Sequence, residues 1–193
     1  MDFNHSVYKL KDFYRKLTVP QFTIVTGLIV IFLGTLVLST PFCSSQNVGL
    51  WEAFFTSTSA ITVTGLTVID IGSDLTIFGQ IFLAFMLLSG GLGLMAITIF
   101  LQGFVVKGAK LRTRIDKGKT LDDFGVGGIG RTFQSIAITA ASIISLGALI
   151  LYFFGFININ NHWERLWVSI FHSISAYNNA GFSLWNTSIY EYR

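Results

Sequence analysis

Long apolar runs separated by short polar breaks organise this chain. Gln21 to Ser39 carries no charge and is long enough, at about 1.5 Å per residue, to cross a hydrocarbon core of roughly 30 Å. Thr76 to Val106 is also uncharged and longer than one crossing needs, with the small-residue run Ser89-Gly90-Gly91-Leu92-Gly93 where a neighbouring helix can approach closely. Arg131 to Phe156 is a third run of spanning length. Between the first two lies Leu50 to Ile61, apolar for only about three turns, or roughly 18 Å. A segment that short cannot span, so the pattern predicts that it dips into the bilayer and returns.

The short segment has a second copy. Trp51-Glu-Ala-Phe-Phe-Thr-Ser-Thr-Ser-Ala-Ile-Thr-Val-Thr-Gly65 and Trp167-Val-Ser-Ile-Phe-His-Ser-Ile-Ser-Ala-Tyr-Asn-Asn-Ala-Gly181 align without a gap. Trp51, Phe55, Ser57, Ser59, Ala60 and Gly65 fall on Trp167, Phe171, Ser173, Ser175, Ala176 and Gly181. Each copy is an apolar half-helix ending in a polar stretch with one glycine. Non-helical backbone at membrane depth is tolerated only where protein covers it or where it lines a wet cavity. Carbonyls of an extended Thr62, Val63, Thr64, Gly65 strand are suitable ligands for a dehydrated alkali cation, and glycine reaches the positive φ that such a strand requires. Asn178, Asn179, Ala180 and Gly181 are the matching candidates in the second copy. Close helix packing is the plainer account of small and hydroxyl residues in one membrane segment; two copies behind two outer helices favour the ion pathway.

Charge then gives an orientation. Lys9, Lys11, Arg15 and Lys16 precede the first run, and Lys107, Lys110, Arg112, Arg114, Lys117, Lys119 and Arg131 follow the second; only Arg165 and Arg193 lie elsewhere. Cytoplasmic loops collect Lys and Arg, so both basic segments are expected inside. The net charge of +3 is therefore read as topology, and no nucleic-acid surface is expected. A composition 52% hydrophobic and 12% charged fits a bilayer protein, since soluble domains carry roughly 25% charge. A cleaved signal peptide is the alternative for the first run, but the run exceeds a usual signal core and Leu38 to Cys43 offers no small-x-small cleavage site. Cys43 is the sole cysteine, which excludes an internal disulfide. The expected organisation is a cytoplasmic segment (1–19), a first helix, pore-loop and helix repeat (20–106), a flexible basic cytoplasmic loop (107–130), and an incomplete second repeat (131–193).

Other motifs carry less. Gly125-Val-Gly-Gly-Ile-Gly130 fits a dinucleotide-binding spacing, but no buried strand precedes it and a membrane run follows. Asp70 and Asp74 could gather cations outside the first strand; the alternative is that Ser73 or Asp74 caps the return helix and Asp70 sits in a turn. Glu52 and Glu164 stand near half-helix starts, where negative charge suits the dipole. His172 with Ser169 or Ser175 at helical spacing raises an intramembrane serine hydrolase, yet no Asp follows Asp123 to orient the base. A non-conducting structural or regulatory membrane subunit is a third class.

The half-helix Phe54 to Ala60, the stretch Thr62 to Gly65, the run Gly90 to Gly93 and the segment His172 to Gly181 resemble the Trk/Ktr/HKT superfamily of potassium transporters, most closely the Ktr-type membrane subunit. The resemblance implies an all-α polytopic plasma-membrane protein of potassium-channel-like helix, pore-loop, helix repeats, moving K⁺, with or without Na⁺ dependence, and using no cofactor or enzymatic step. It implies four such repeats around one axis, with Gly65 and Gly181 matching the first two filter glycines. It further implies a homodimer docked on a cytosolic nucleotide-binding ring, with the Lys107 to Arg131 loop as the contact. One full repeat and part of another are present, so the sequence is expected to be a truncated or partial one.

The orientation predicts a labelling pattern. In a Cys43-free background, cysteines at positions 9 and 117 should resist an impermeant thiol reagent applied to intact cells, and one at position 47 should react; external labelling of position 117 would reverse the topology.

Overall fold

The computed structural model of the chain describes residues 19–45, 48–91 and 126–185. Among these the regular elements are helices: α1 (Val19–Leu38), α2 (Leu50–Thr62), the short α3 (Ile71–Asp74), α4 (Ile77–Gly91), α5 (Val126–Ile150) and α6 (His162–Tyr177). A π-helical turn, Leu151–Gly155, extends α5. The expected return run through Val106 is described only as far as Gly91, and the basic loop from Lys107 lies outside the described residues up to position 125. Helix α5 begins at Val126, so the last glycines of the 107–130 segment are helical where a flexible loop is expected from sequence.

Helices α1 and α5 turn large apolar side chains outward. Ile24, Leu28 and Phe32 on α1, and Ile138, Leu146, Leu149 and Phe154 on α5 and its π turn, are exposed. Gln134–Gly155 is long and apolar enough to cross a membrane, and only 11% of its most apolar stretch is buried. A soluble protein's core helix would be covered by its own chain, whereas lipid is the natural solvent for such a surface. The apolar helices Thr23–Leu38 and Ile77–Gly91 are shorter. At the end of α1, the Ser39 hydroxyl donates to Leu36 O (3.0 Å), and Val37 O accepts from both the hydroxyl (2.7 Å) and the amide (3.1 Å) of Thr40, so side chains help to satisfy the last carbonyls.

The two half-helices are packed inside this frame. Helix α2 lies against α1 and α4, and α6 against α5 and α4. Small residues set the closest approaches. A Cβ on Gly34 of α1 would strike the Met86 side chain and come within 3.2 Å of Ser57 Oγ on α2; a Cβ on Gly147 of α5 would meet Ser173 Oγ on α6 at 2.5 Å. Ser57 and Ser173 are template equivalents, so each outer helix presents a glycine to the same serine of its half-helix. Ser173 Oγ also donates to Ile144 O on α5 (2.7 Å).

The links between elements are polar and short. Ser45 N donates to Asp74 O (2.8 Å) and Thr76 N to Cys43 O (2.9 Å), joining the end of the α1 connection to the start of α4. Thr76 caps α4, accepting from Gly79 N (3.3 Å) while donating to Phe42 O (2.7 Å). The cap expected at Ser73 or Asp74 is therefore displaced; Asp70 and Asp74 serve α3, accepting from Gly72 N (3.1 Å) and Asp70 N (2.9 Å). Arg165 spans from α6 to the π turn, donating from Nε (2.7 Å) and Nη2 to Tyr152 O with its guanidinium over the Tyr152 ring. A cation there offsets the partial negative charge of freed carbonyls at the end of α5. The interface between the two halves is pinned by Gln80 of α4: Trp167 Nε1 donates to its Oε1 (2.7 Å), while its Nε2 faces the carbonyls of Ile71, Gly72 and Leu75.

Candidate functional site

The site is assembled where α2 and α6 end. A helix leaves its last carbonyls without amide partners, and both helices solve this in the same way. At α2, Val63 N donates to Ala60 O (3.3 Å) and Thr64 N to Ser59 O (2.9 Å). At α6, Asn179 N donates to Ala176 O (3.0 Å) and Ala180 N to Ser175 O (2.9 Å). Nested bonds of this kind need a left-handed residue just past the helix. Val63 (φ 55°) and Asn179 (φ 54°) supply it, and two residues on Gly65 (φ 80°) and Gly181 (φ 75°) repeat the positive sign. The backbone path is thus duplicated residue for residue along the template.

The two left-handed positions differ in cost. Asparagine visits this region readily, whereas a β-branched residue there is an outlier costing about 1–2 kcal/mol. Val63 is held by packing against the buried core, and Thr62 and Thr64 pair their hydroxyls beside it (2.6 Å). Strain of this kind persists where surroundings over-determine the backbone, and it gathers at functional sites.

Of the eight sequence candidates, six lie past the helix ends. Thr62 is the last residue of α2, its hydroxyl donating to Thr58 O (2.8 Å), and Asn178 is the cap of α6 with helical φ and ψ. Non-helical backbone therefore begins one residue later than the sequence suggests, because each helix adds a residue before unwinding. Asn178 donates from Nδ2 to Ile174 O (2.9 Å), and its Oδ1 fills the space that a Cβ on Gly91 would take. Val63, Thr64 and Gly65 follow α2, and Asn179, Ala180 and Gly181 follow α6. The two segments meet: a Cβ on Gly65 would overlap the Ala180 carbonyl oxygen, so only a glycine permits this contact. Among the described residues, nothing lies within 4 Å of the Cβ position of Gly181.

Two further serines hold these segments. Ser59 Oγ accepts from Leu66 N (2.8 Å), and its equivalent Ser175 donates to Phe182 O (2.8 Å). Both were visible as matched template positions, but serine in an apolar helix carries no mark that separates packing from tethering. Gly90 of α4 passes over the end of α2, where a Cβ would approach Ile61 O to 2.5 Å and Ala60 O to 2.9 Å. No group of three or more His, Cys, Asp or Glu side chains is placed to hold a metal among the described residues.

The arrangement does not support nucleophilic chemistry. Ser169 donates to Arg165 O (2.7 Å) and Ser175 to Phe182 O, so neither serine is paired with His172. The two ring nitrogens of His172 face Val168 O (2.9 Å) and Ser183 Oγ (3.3 Å), and neither contacts an orienting carboxylate.

Such a fold, with lipid-facing helices around two half-helices that unwind into adjoining strands, is that of a helical membrane protein. Residues 8–193 match the family described as TrkH, cation transport protein, and the chain belongs to that family. That family is one of transporters and not of enzymes. The chain is similar to the Ktr system potassium uptake protein B of Bacillus subtilis (strain 168), 32% identical over 177 residues that cover 92% of this chain and 40% of that protein. It is also similar to the Ktr system potassium uptake protein B of Vibrio alginolyticus, at 32% over 88% of this chain and 37% of that protein. The potassium/sodium uptake protein NtpJ of Enterococcus hirae is 31% identical over 93% of this chain and 40% of its own length. The chain therefore spans about two fifths of the curated relatives it matches.

The unequal surroundings of the two glycines predict unequal sensitivity. Gly181→Ala should cost about 1–2 kcal/mol, the penalty of positive φ alone. Gly65→Ala adds a backbone overlap worth about another 1–3 kcal/mol and should depress the detergent melting temperature further. Equal destabilisation by the two substitutions would contradict the strand contact.

Proposed function

We propose that this chain supplies two adjoining strands of a selectivity filter in a potassium uptake protein, with K⁺ passing along backbone carbonyls of Thr64 to Gly65 and Ala180 to Gly181 and with Val63 and Asn179 setting the strands' direction. One observation carries the reading: the backbone alternation Val63/Gly65 is reproduced at Asn179/Gly181, and Gly65 lies against Ala180. Carbonyls held in a rigid, unpaired backbone can replace an ion's water shell. The relatives' names, potassium uptake and potassium/sodium uptake, support K⁺ as the ion and leave Na⁺ as a co-ion or competitor.

Two strands do not enclose an ion, and the surroundings of the first half-helix point to further repeats. Trp167 reaches Gln80 of the preceding repeat, and Phe171 is 0% exposed. Their equivalents Trp51 and Phe55 are 79% and 41% exposed. We propose that a return helix of another repeat covers them in the complete protein, and that a further strand occupies the open side of Gly181. In this reading the N-terminus is cytoplasmic, the protein works in the plasma membrane as a homodimer, and the basic segment from Lys107 to Arg131 meets a cytosolic nucleotide-binding ring. Attraction of that segment to anionic lipid, about 1 kcal/mol per basic residue, is the competing account.

Gly181→Ser tests the filter because a side chain strains the positive-φ backbone there while the spans stay intact. In the full-length protein, expressed in a host lacking K⁺ uptake, it should raise the K⁺ concentration for half-maximal uptake or lower K⁺ over Na⁺ preference, with unchanged protein in the membrane. Unaltered uptake kinetics and selectivity would remove the filter assignment.

A further inference from the structure

The second strand has a tether that the first lacks. Ser175 holds Phe182 from the last turn of α6, and His172, one turn earlier, reaches the next residue along, Ser183. A carbonyl oxygen only accepts, so His172 Nδ1 must carry the proton it gives to Val168 O (2.9 Å). In the neutral ring Nε2 is then an acceptor, and the Ser183 hydroxyl is its donor at 3.3 Å. Ser183 Oγ in turn accepts from Trp185 N (3.1 Å). With the ring neutral, the relay runs from the Trp185 amide through Ser183 and the imidazole to the α6 backbone.

The ring itself is locked. Trp185 stacks on it at 4.9 Å and 23°, Phe156 lies 5.3 Å away, and Phe171 lies edge-on at 5.9 Å. The first repeat shows what is absent there. Thr56 stands at the template position of His172 and its buried hydroxyl has no partner among the described residues. Thr67, at the position of Ser183, bonds within its own turn, to Ile69 N and O, and to no other described residue. Among the described residues no side-chain bond links these two threonines, whereas the imidazole of His172 reaches Ser183.

We propose that His172 is a positioning residue for the second filter strand, holding Ser183 through its Nε2 acceptor and thereby fixing the backbone just beyond Gly181. This rests on the filter reading above. The first strand is stiffened instead by the Thr62 and Thr64 hydroxyl pair. The second strand has its open side at Gly181, so it depends on tethers from its own helix.

The test separates acceptor from filler. In the full-length protein, His172→Phe keeps the aromatic volume and removes the acceptor, Ser183→Ala removes the donor, and His172→Gln restores a neutral acceptor of similar reach. His172→Phe and Ser183→Ala should each raise the half-saturating K⁺ concentration roughly two- to tenfold, the worth of one hydrogen bond. The double variant should be no worse than either alone, and His172→Gln should recover most of the loss. Gly181→Ser runs alongside. If it shifts uptake while His172→Phe leaves uptake unchanged, the tether is refuted and the filter stands; if it shifts nothing, the filter reading itself fails. Gln behaving like Phe would also overturn the acceptor role. Should His172→Phe be lost from the membrane, Ser183→Ala decides alone, and wild-type uptake kinetics in it would refute the tether.

Discussion

Everything in this structure turns on what happens to backbone polar groups where a half-helix stops inside apolar surroundings. An orphan carbonyl or amide at membrane depth costs several kcal/mol, so a helix cannot simply end there. Both half-helices satisfy the final turn with nested amide bonds and leave through a non-helical segment whose φ is positive just past the helix and again two residues on. One group beyond each glycine is tied by a serine of the same helix: Leu66 N donates to Ser59, and Ser175 donates to Phe182 O. Gly34, Gly90 and Gly147 bring neighbouring helices into close contact with the two half-helices.

The repeat makes the argument quantitative in kind. Equivalent residues take equivalent φ values, and equivalent serines face glycines of equivalent outer helices. Where the copies differ, the difference follows their neighbours: Trp167 finds Gln80, whereas Trp51 is exposed. The cost of unusual backbone is also unevenly met. Asn179 takes the left-handed turn cheaply, while Val63 does so only under packing from the core.

Much of this was legible in the sequence, for physical reasons. Helix α2 follows the expected Leu50 to Ile61 within one residue, since apolar length and polar punctuation fix its ends. Gly65 and Gly181 were marked by their positions in the template, and both have positive φ. Four features were not legible. A left-handed valine contradicts local propensity, so tertiary packing alone decides it. Thr76 takes the cap from Ser73 and Asp74 because the preceding residues form their own short turn. The π turn at Leu151–Gly155 and the Arg165 bonds to Tyr152 O depend on a contact between elements that no periodicity announces. The same holds for His172, whose neighbours in sequence suggested Ser169 or Ser175, while its partner in space is Ser183.

The central claim is that the strands after α2 and α6 line one ion path. Anomalous scattering from Rb⁺, a heavier stand-in for K⁺, in crystals of the full-length protein would test it most directly. The account predicts Rb⁺ density coordinated by main-chain oxygens of both Thr64 to Gly65 and Ala180 to Gly181. Ordered Rb⁺ sites elsewhere in the membrane region, with neither strand contributing a ligand, would contradict it.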